Sequence, residues 1–136
     1  MDWIRKSGLD KLLPELLKTR LYVGVSAGSI VTNPNLSIAD SRTLYYEDLV
    51  IKNREEKALG FVDFLFRPHF NSKDFPMVNH EVLEKLAKNT TDTIYALDDD
   101  SAIKTSAAFN LASQFSFGNA EISTISISAK PSLLQL

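Results

Sequence analysis

A serine held between two glycines at the end of an apolar run, Leu21-Tyr22-Val23-Gly24-Val25-Ser26-Ala27-Gly28-Ser29, is where this chain concentrates its chemistry. The pattern G-x-S-x-G is that of a nucleophile elbow, in which a strand turns sharply into a helix and leaves the serine hydroxyl exposed on the turn. A turn this tight is expected to strain the serine backbone and to bring neighbouring segments so close that a Cβ at Gly24 or Gly28 would collide. A helix starting at Ala27 would aim its free N–H groups and positive end at the place where an oxyanion forms. A hydroxyl becomes a nucleophile only when a base takes its proton, and histidine is the side chain suited to that near neutral pH. The chain has two, His69 and His80. His80 lies beside Glu81 in an amphipathic stretch and reads as a surface residue. His69 follows Arg67-Pro68 at the end of an apolar run, the position from which α/β enzymes present catalytic groups. The acids between Ser26 and His69 are Asp40, Glu47, Asp48, Glu55, Glu56 and Asp63, and Asp40, closing the polar loop after the elbow helix, is the first choice to orient the imidazole.

The elements that must position these groups alternate in type. Leu9, Leu12, Leu13, Leu16 and Leu17 make one apolar stripe at helical spacing, expected to cover a sheet. Pro14 suits the first turn of a helix, so a short helix around Trp3–Ser7, a break at Gly8 and a second helix are expected. Leu21–Val25 reads as a buried parallel strand covered on both faces, and Thr32–Asp40 as a loop. A second apolar strand is expected within Leu59–Phe70, stopped by Pro68. The Lys52–Lys57 charge run reads as a solvated turn, and Asp63 falls within the second strand. Asn71 or Asp74 can cap a helix carrying Val78, Val82, Leu83 and Leu86, and Thr93–Leu97 is a third strand closed by Asp98-Asp99-Asp100. Strand, helix, strand, helix, strand is α/β alternation. Beyond Lys104 the text turns to Ser, Ala and Phe. A two-stranded hairpin around Gly118-Asn119 is the simplest reading, with disorder of Pro131–Leu136 as the alternative.

Composition narrows the classes. The 136 residues fit one globular unit. A net charge of −2 and no basic patch interleaved with aromatics argue against a nucleic-acid partner. The absence of cysteine excludes disulfides, thiolate catalysis and cysteine-ligated zinc. No apolar stretch approaches the roughly 20 residues of a membrane span. The start, Met1-Asp2-Trp3-Ile4-Arg5-Lys6, lacks the apolar core of a signal peptide, so a cytoplasmic location is expected.

Three blocks in order, Leu21–Ser29, Arg67-Pro68-His69-Phe70-Asn71 and Ile94–Ile103, resemble peptidase family S51, the family of dipeptidase E, over residues 1–105. The resemblance implies an α/β fold with a flavodoxin-like parallel sheet flanked by helices, related to class I glutamine amidotransferases. It also implies cofactor-free and metal-free hydrolysis of short peptides with an N-terminal aspartate. Carried over by position, Ser26 matches the family's nucleophile and His69 its base, Asp40 falls close to its aspartate, and the Ala27 N–H would be one oxyanion donor. Asn71 and Lys73 occupy the region where the family binds substrate, and Lys73 is the only cation there. Family members begin with strands and a Gly-Gly-Gly-Asn-Thr type loop that gives the second oxyanion donor, and this sequence starts just after that loop would lie. The expected organisation is therefore a partial S51-like α/β unit over 1–105 followed by a divergent tail over 106–136.

Three functions follow as expectations. The first is a serine peptidase acting on a small peptide through Ser26, His69 and Asp40, with a homodimer as the candidate assembly. The second is a catalytically silent α/β module that binds through an exposed sheet edge. The third is a cyanophycinase-like hydrolase of the same chemistry acting on esters or aspartyl polymers.

Overall fold

The computed structural model describes residues 1–45, 57–105 and 113–116. Helix α1 (Asp2–Lys6) and α2 (Leu9–Leu16) are separated by Gly8 at φ 75°, a left-handed turn that glycine adopts without a Cβ penalty. Pro14 lies near the end of α2 and not in its first turn. The elbow helix α3 (Ala27–Ile30) and α4 (Ile38–Tyr45) follow. Then come β1 (Leu65–Pro68), α5 (His80–Ala87), β2 (Ile94–Leu97), β3 (Ser101–Lys104) and β4 (Ser113–Ser116).

The architecture is α/β. β1 and β2 pair in parallel, Leu65 with Ile94 through Pro68 with Leu97, and α5 is the crossover between them. β1 is shorter than the apolar run that contains it, and Asp63 lies outside it and exposed. Proline ends the strand as expected, since it has no N–H to continue the ladder. The apolar face of α5 supplies the core. Leu83 joins Leu44, Phe70, Val78 and Ala96, while Ala87 joins Leu65 and Ile94. Each fully buried Leu or Phe of this set contributes about 1.5–3 kcal/mol. The helix is capped by Asn79, whose side chain accepts from the Val82 N–H at 3.0 Å, in place of the expected Asn71 or Asp74. Those two residues belong instead to a loop closed by the Asn71 N–H bonding to the Val78 carbonyl at 2.8 Å.

Three other expectations change. Leu21–Val25 is not a strand of either sheet, and Leu21, Val23 and Val25 are 78%, 76% and 78% exposed. A strand is buried on both faces only when neighbours flank it, and among the described residues none does. For the same reason the α2 stripe is only half covered, with Leu9, Leu12 and Leu16 exposed. The polar loop is shorter than expected because α4 starts at Ile38, so Asp40 sits in its first turn.

β3 and β4 form an antiparallel pair, Ser101 opposite Ser116 through Lys104 opposite Ser113. The hairpin expected around Gly118-Asn119, the tail from Pro131, Glu47, Asp48, Glu55, Glu56 and most of the charge run lie outside the described residues. Among the described residues no helix is long and apolar enough to cross a membrane, and no cluster of His, Asp or Glu could hold a metal ion.

Candidate active site

The turn at Ser26 carries the backbone strain that its glycine pattern implies, though among the described residues no strand of either sheet leads into it. Ser26 has φ 51° and ψ −120°, a strained region for a non-glycine residue, and it caps α3. The Gly28 N–H bonds to the Val25 carbonyl at 2.8 Å and the Ser29 N–H to the Ser26 carbonyl at 2.9 Å, which holds the turn. At Gly24 an added Cβ would lie 2.7 Å from the Gly28 carbonyl oxygen and 2.9 Å from the Ser29 nitrogen, so glycine is required. Gly28 differs from expectation: a Cβ there would have only the Tyr22 hydroxyl oxygen nearby, at 3.9 Å. The close approach is one-sided, with the Gly28 backbone crowding the Gly24 Cα. Tyr22 also reaches over this turn and donates its hydroxyl to the Gly28 carbonyl at 2.7 Å. Burial pushes the Tyr22 phenol above its ordinary pKa, which keeps it a donor.

β1 delivers the histidine to the same place. Its last residues are anchored by the ladder to β2 and by the Phe70 N–H bonding to the Leu97 carbonyl at 2.9 Å. Between them His69 is turned out at φ 68°. Its Nε2 lies 2.8 Å from Ser26 Oγ, and its Nδ1 lies 2.6 Å from Asp99 Oδ1. The chemistry of the two partners fixes the neutral tautomer, with Nδ1–H donating to the carboxylate and Nε2 accepting from the hydroxyl. Phe75 stacks on the imidazole with ring centres 4.5 Å apart and planes inclined by 24°, so one face of the ring is shielded.

The third member of this hydrogen-bonded row is Asp99, not Asp40. Asp40 sits 3.5 Å from Arg67, an ion pair rather than a hydrogen bond, and Arg67 is fully buried. Burial lowers the Arg67 pKa, partly offset by Tyr45 and Asp40. Asp40 is thus engaged by the buried guanidinium of β1, whereas the imidazole that follows the strand bonds to Asp99. Asp99 follows His69 in the chain and so lies outside the interval between Ser26 and His69. Its signal was topological: Asp99 follows β2, which runs parallel to β1, so the two strands end on the same rim. The Asp98 side chain accepts from the Asp100 N–H at 3.1 Å and so folds the turn that carries Asp99.

The remaining expected residues lie on the segments that follow Ser26 and His69 in the chain. Ala27 is the first residue of α3, so no intrahelical carbonyl accepts its N–H, which stands beside Ser26. Asn71, at φ 57°, and exposed Lys73 lie in the loop just after His69. His80 is exposed at the first position of α5.

Comparison with known proteins places the chain in a family. The profile of peptidase family S51 matches residues 1–108. The chain is 30% identical over 101 residues to an uncharacterized peptidase of Listeria monocytogenes, covering 74% of this chain and 47% of that one. A second uncharacterized peptidase, from Listeria innocua, is 31% identical over 87 residues, 63% of this chain and 41% of its own. A crystal structure described as a "Putative Peptidase E Protein" from Listeria monocytogenes superposes with a TM-score of 0.61 at 27% identity, over 85% of this chain and 52% of that chain. The chain thus spans about half the length of the relatives it matches. With a matched profile over most of its residues, the chain belongs to peptidase family S51.

Proposed function

We propose that this chain carries the catalytic apparatus of a serine peptidase in which Ser26 is the nucleophile, His69 the general base and Asp99 the acid that orients and stabilises the imidazolium. The observation that supports it is the continuous row Ser26 Oγ, His69 Nε2 and Nδ1, Asp99 Oδ1, with contacts of 2.8 and 2.6 Å. In this reading Ser26 Oγ attacks the scissile carbonyl carbon as its proton passes to His69 Nε2. The tetrahedral oxyanion lies at the head of α3, where the Ala27 N–H donates to it. His69 then returns the proton to the leaving amine, which departs and leaves an acyl group on Ser26. Water, deprotonated by the same nitrogen, releases the acyl group. Asp99 stays ionised throughout.

The finer reading follows from the family: short peptides, with N-terminal-aspartyl dipeptides as the first to test, on a flavodoxin-like sheet. Asn71 and Lys73 are assigned to substrate because they follow the histidine on the same rim, and Lys73 is a cation suited to a carboxylate. No cofactor enters any step.

The test is labelling of the purified chain by a fluorophosphonate together with hydrolysis of Asp-X dipeptides. Both are expected, and Ser26→Ala should abolish both. Equal labelling or hydrolysis by Ser26→Ala would overturn the assignment.

A further inference from the structure

Asn33 is a wholly buried polar residue that none of the steps above uses. Its backbone closes the turn after the elbow helix: the Asn33 N–H bonds to the Ile30 carbonyl at 3.1 Å, and the Ile30 N–H to the Ser26 carbonyl at 3.3 Å. Its side chain crosses to β1. Oδ1 accepts from the Phe66 N–H at 2.9 Å, and Nδ2 donates to the Phe66 carbonyl at 3.4 Å.

That pairing has a specific consequence. The Leu65 N–H points to β2, where it bonds to the Thr93 carbonyl at 2.8 Å, so the peptide groups of Phe66 point to the opposite edge. There the amide of Asn33 occupies the place of a neighbouring strand's peptide and satisfies both groups. Pro68, next on that edge, has no N–H, and its carbonyl accepts from the Tyr45 hydroxyl at 3.2 Å. The side-chain amide is therefore a hydrogen-bonded tie between the segment that carries Ser26 and the strand that carries His69, three residues beyond Phe66.

We infer that Asn33 is a positioning residue: its amide sets the separation between Ser26 Oγ and His69 Nε2. The inference deepens the serine-peptidase reading and rests on it for its kinetic consequence, though not for its geometric one. Other main-chain bonds of the turn after the elbow helix, Leu59 N–H to Val31 carbonyl at 2.8 Å and Phe61 N–H to Thr32 carbonyl at 2.9 Å, do not depend on the side chain and remain available when it is removed.

The experiment compares the full chain with Asn33→Ala, Asn33→Asp and Ser26→Ala by two readouts. The first is the ¹⁵N shift of His69 Nε2, which reports the hydrogen bond from Ser26 whether or not the chain is active. Asn33→Ala should move it to the value seen in Ser26→Ala. The second is the fluorophosphonate labelling rate well below the melting temperature of each variant. A misplacement of this kind costs about 10²-fold, and Asn33→Asp, which keeps the acceptor for the Phe66 N–H, should recover part of the loss. If Asn33→Ala does not fold, Asn33→Asp decides alone by the same two readouts. A wild-type Nε2 shift with labelling within about twofold of wild type, whatever the change in melting temperature, would overturn the inference. Failure of wild type to label would instead strike at the peptidase reading and leave the ¹⁵N comparison to judge Asn33.

Discussion

At the scale of single residues, two aspartates divide between chemistry and stability. Asp99 bonds to the imidazole from a position 56% exposed to solvent, and under the proposed mechanism its part is to fix the tautomer and stabilise the positive ring during proton transfer. Asp99→Asn should lower kcat by about 10⁴-fold, the loss typical when the orienting carboxylate becomes an amide. Its thermal unfolding should change little, because a surface contact of this kind contributes at most about 1 kcal/mol. Asp40 should behave the other way. Asp40→Ala leaves Arg67 buried, and among the described residues its Nε and Nη2 have no hydrogen-bond acceptor. Stranding a buried charge costs about 3–5 kcal/mol, and the partial exposure of Asp40 places the expected loss at or below the lower end. Urea unfolding and kcat measured on both variants check the division. A large kcat loss in folded Asp40→Ala with none in Asp99→Asn would reverse the roles.

At the scale of elements, the elbow and the strand end show how local sequence becomes geometry. The turn works because Gly24 admits the Gly28 carbonyl where a Cβ would stand. Gly24→Ala should therefore destabilise the chain by about 1–3 kcal/mol, the usual cost of overpacking against a backbone that cannot yield. It should also abolish labelling of Ser26. Gly28→Ala, with open space around its Cβ, should label at close to the wild-type rate. Equal damage from the two alanines would show that the pattern's second glycine is needed for the turn itself. β1 is legible from Pro68, which ends it, but the positive φ of His69 is not, because even the residue types enriched in that conformation, histidine among them, adopt it in only a small minority of positions.

At the scale of the whole molecule, His69 and Asp99 follow the parallel strands β1 and β2, while the apolar run that leads to Ser26 exposes Leu21, Val23 and Val25 and pairs with no strand among the described residues. An exposed apolar segment without a partner binds dyes and other chains. Wild-type protein should raise the fluorescence of an anilinonaphthalene dye, and Val23→Thr with Val25→Thr should reduce that signal without altering far-UV circular dichroism. An unchanged signal in the double variant would place the dye site elsewhere, the half-exposed leucines of α2 being the next candidates.

The amino-acid sequence by itself determined the local devices. The glycine pattern specified a strained serine, Gly8 a helix break, Pro68 a strand end, and the spacing of Val82, Leu83 and Leu86 an apolar helix face, each because the constraint lies within a few bonds. Residues distant in sequence were a different matter. Which carboxylate reaches His69, which edge Asn33 completes and whether Leu21–Val25 gains neighbours depend on how separate strands align. Periodicity marks a strand and its faces, but its partners are chosen by the packing of the whole chain. Only the parallel alignment of β1 with β2 brought Asp99 to the imidazole, and only the burial of Arg67 drew Asp40 away.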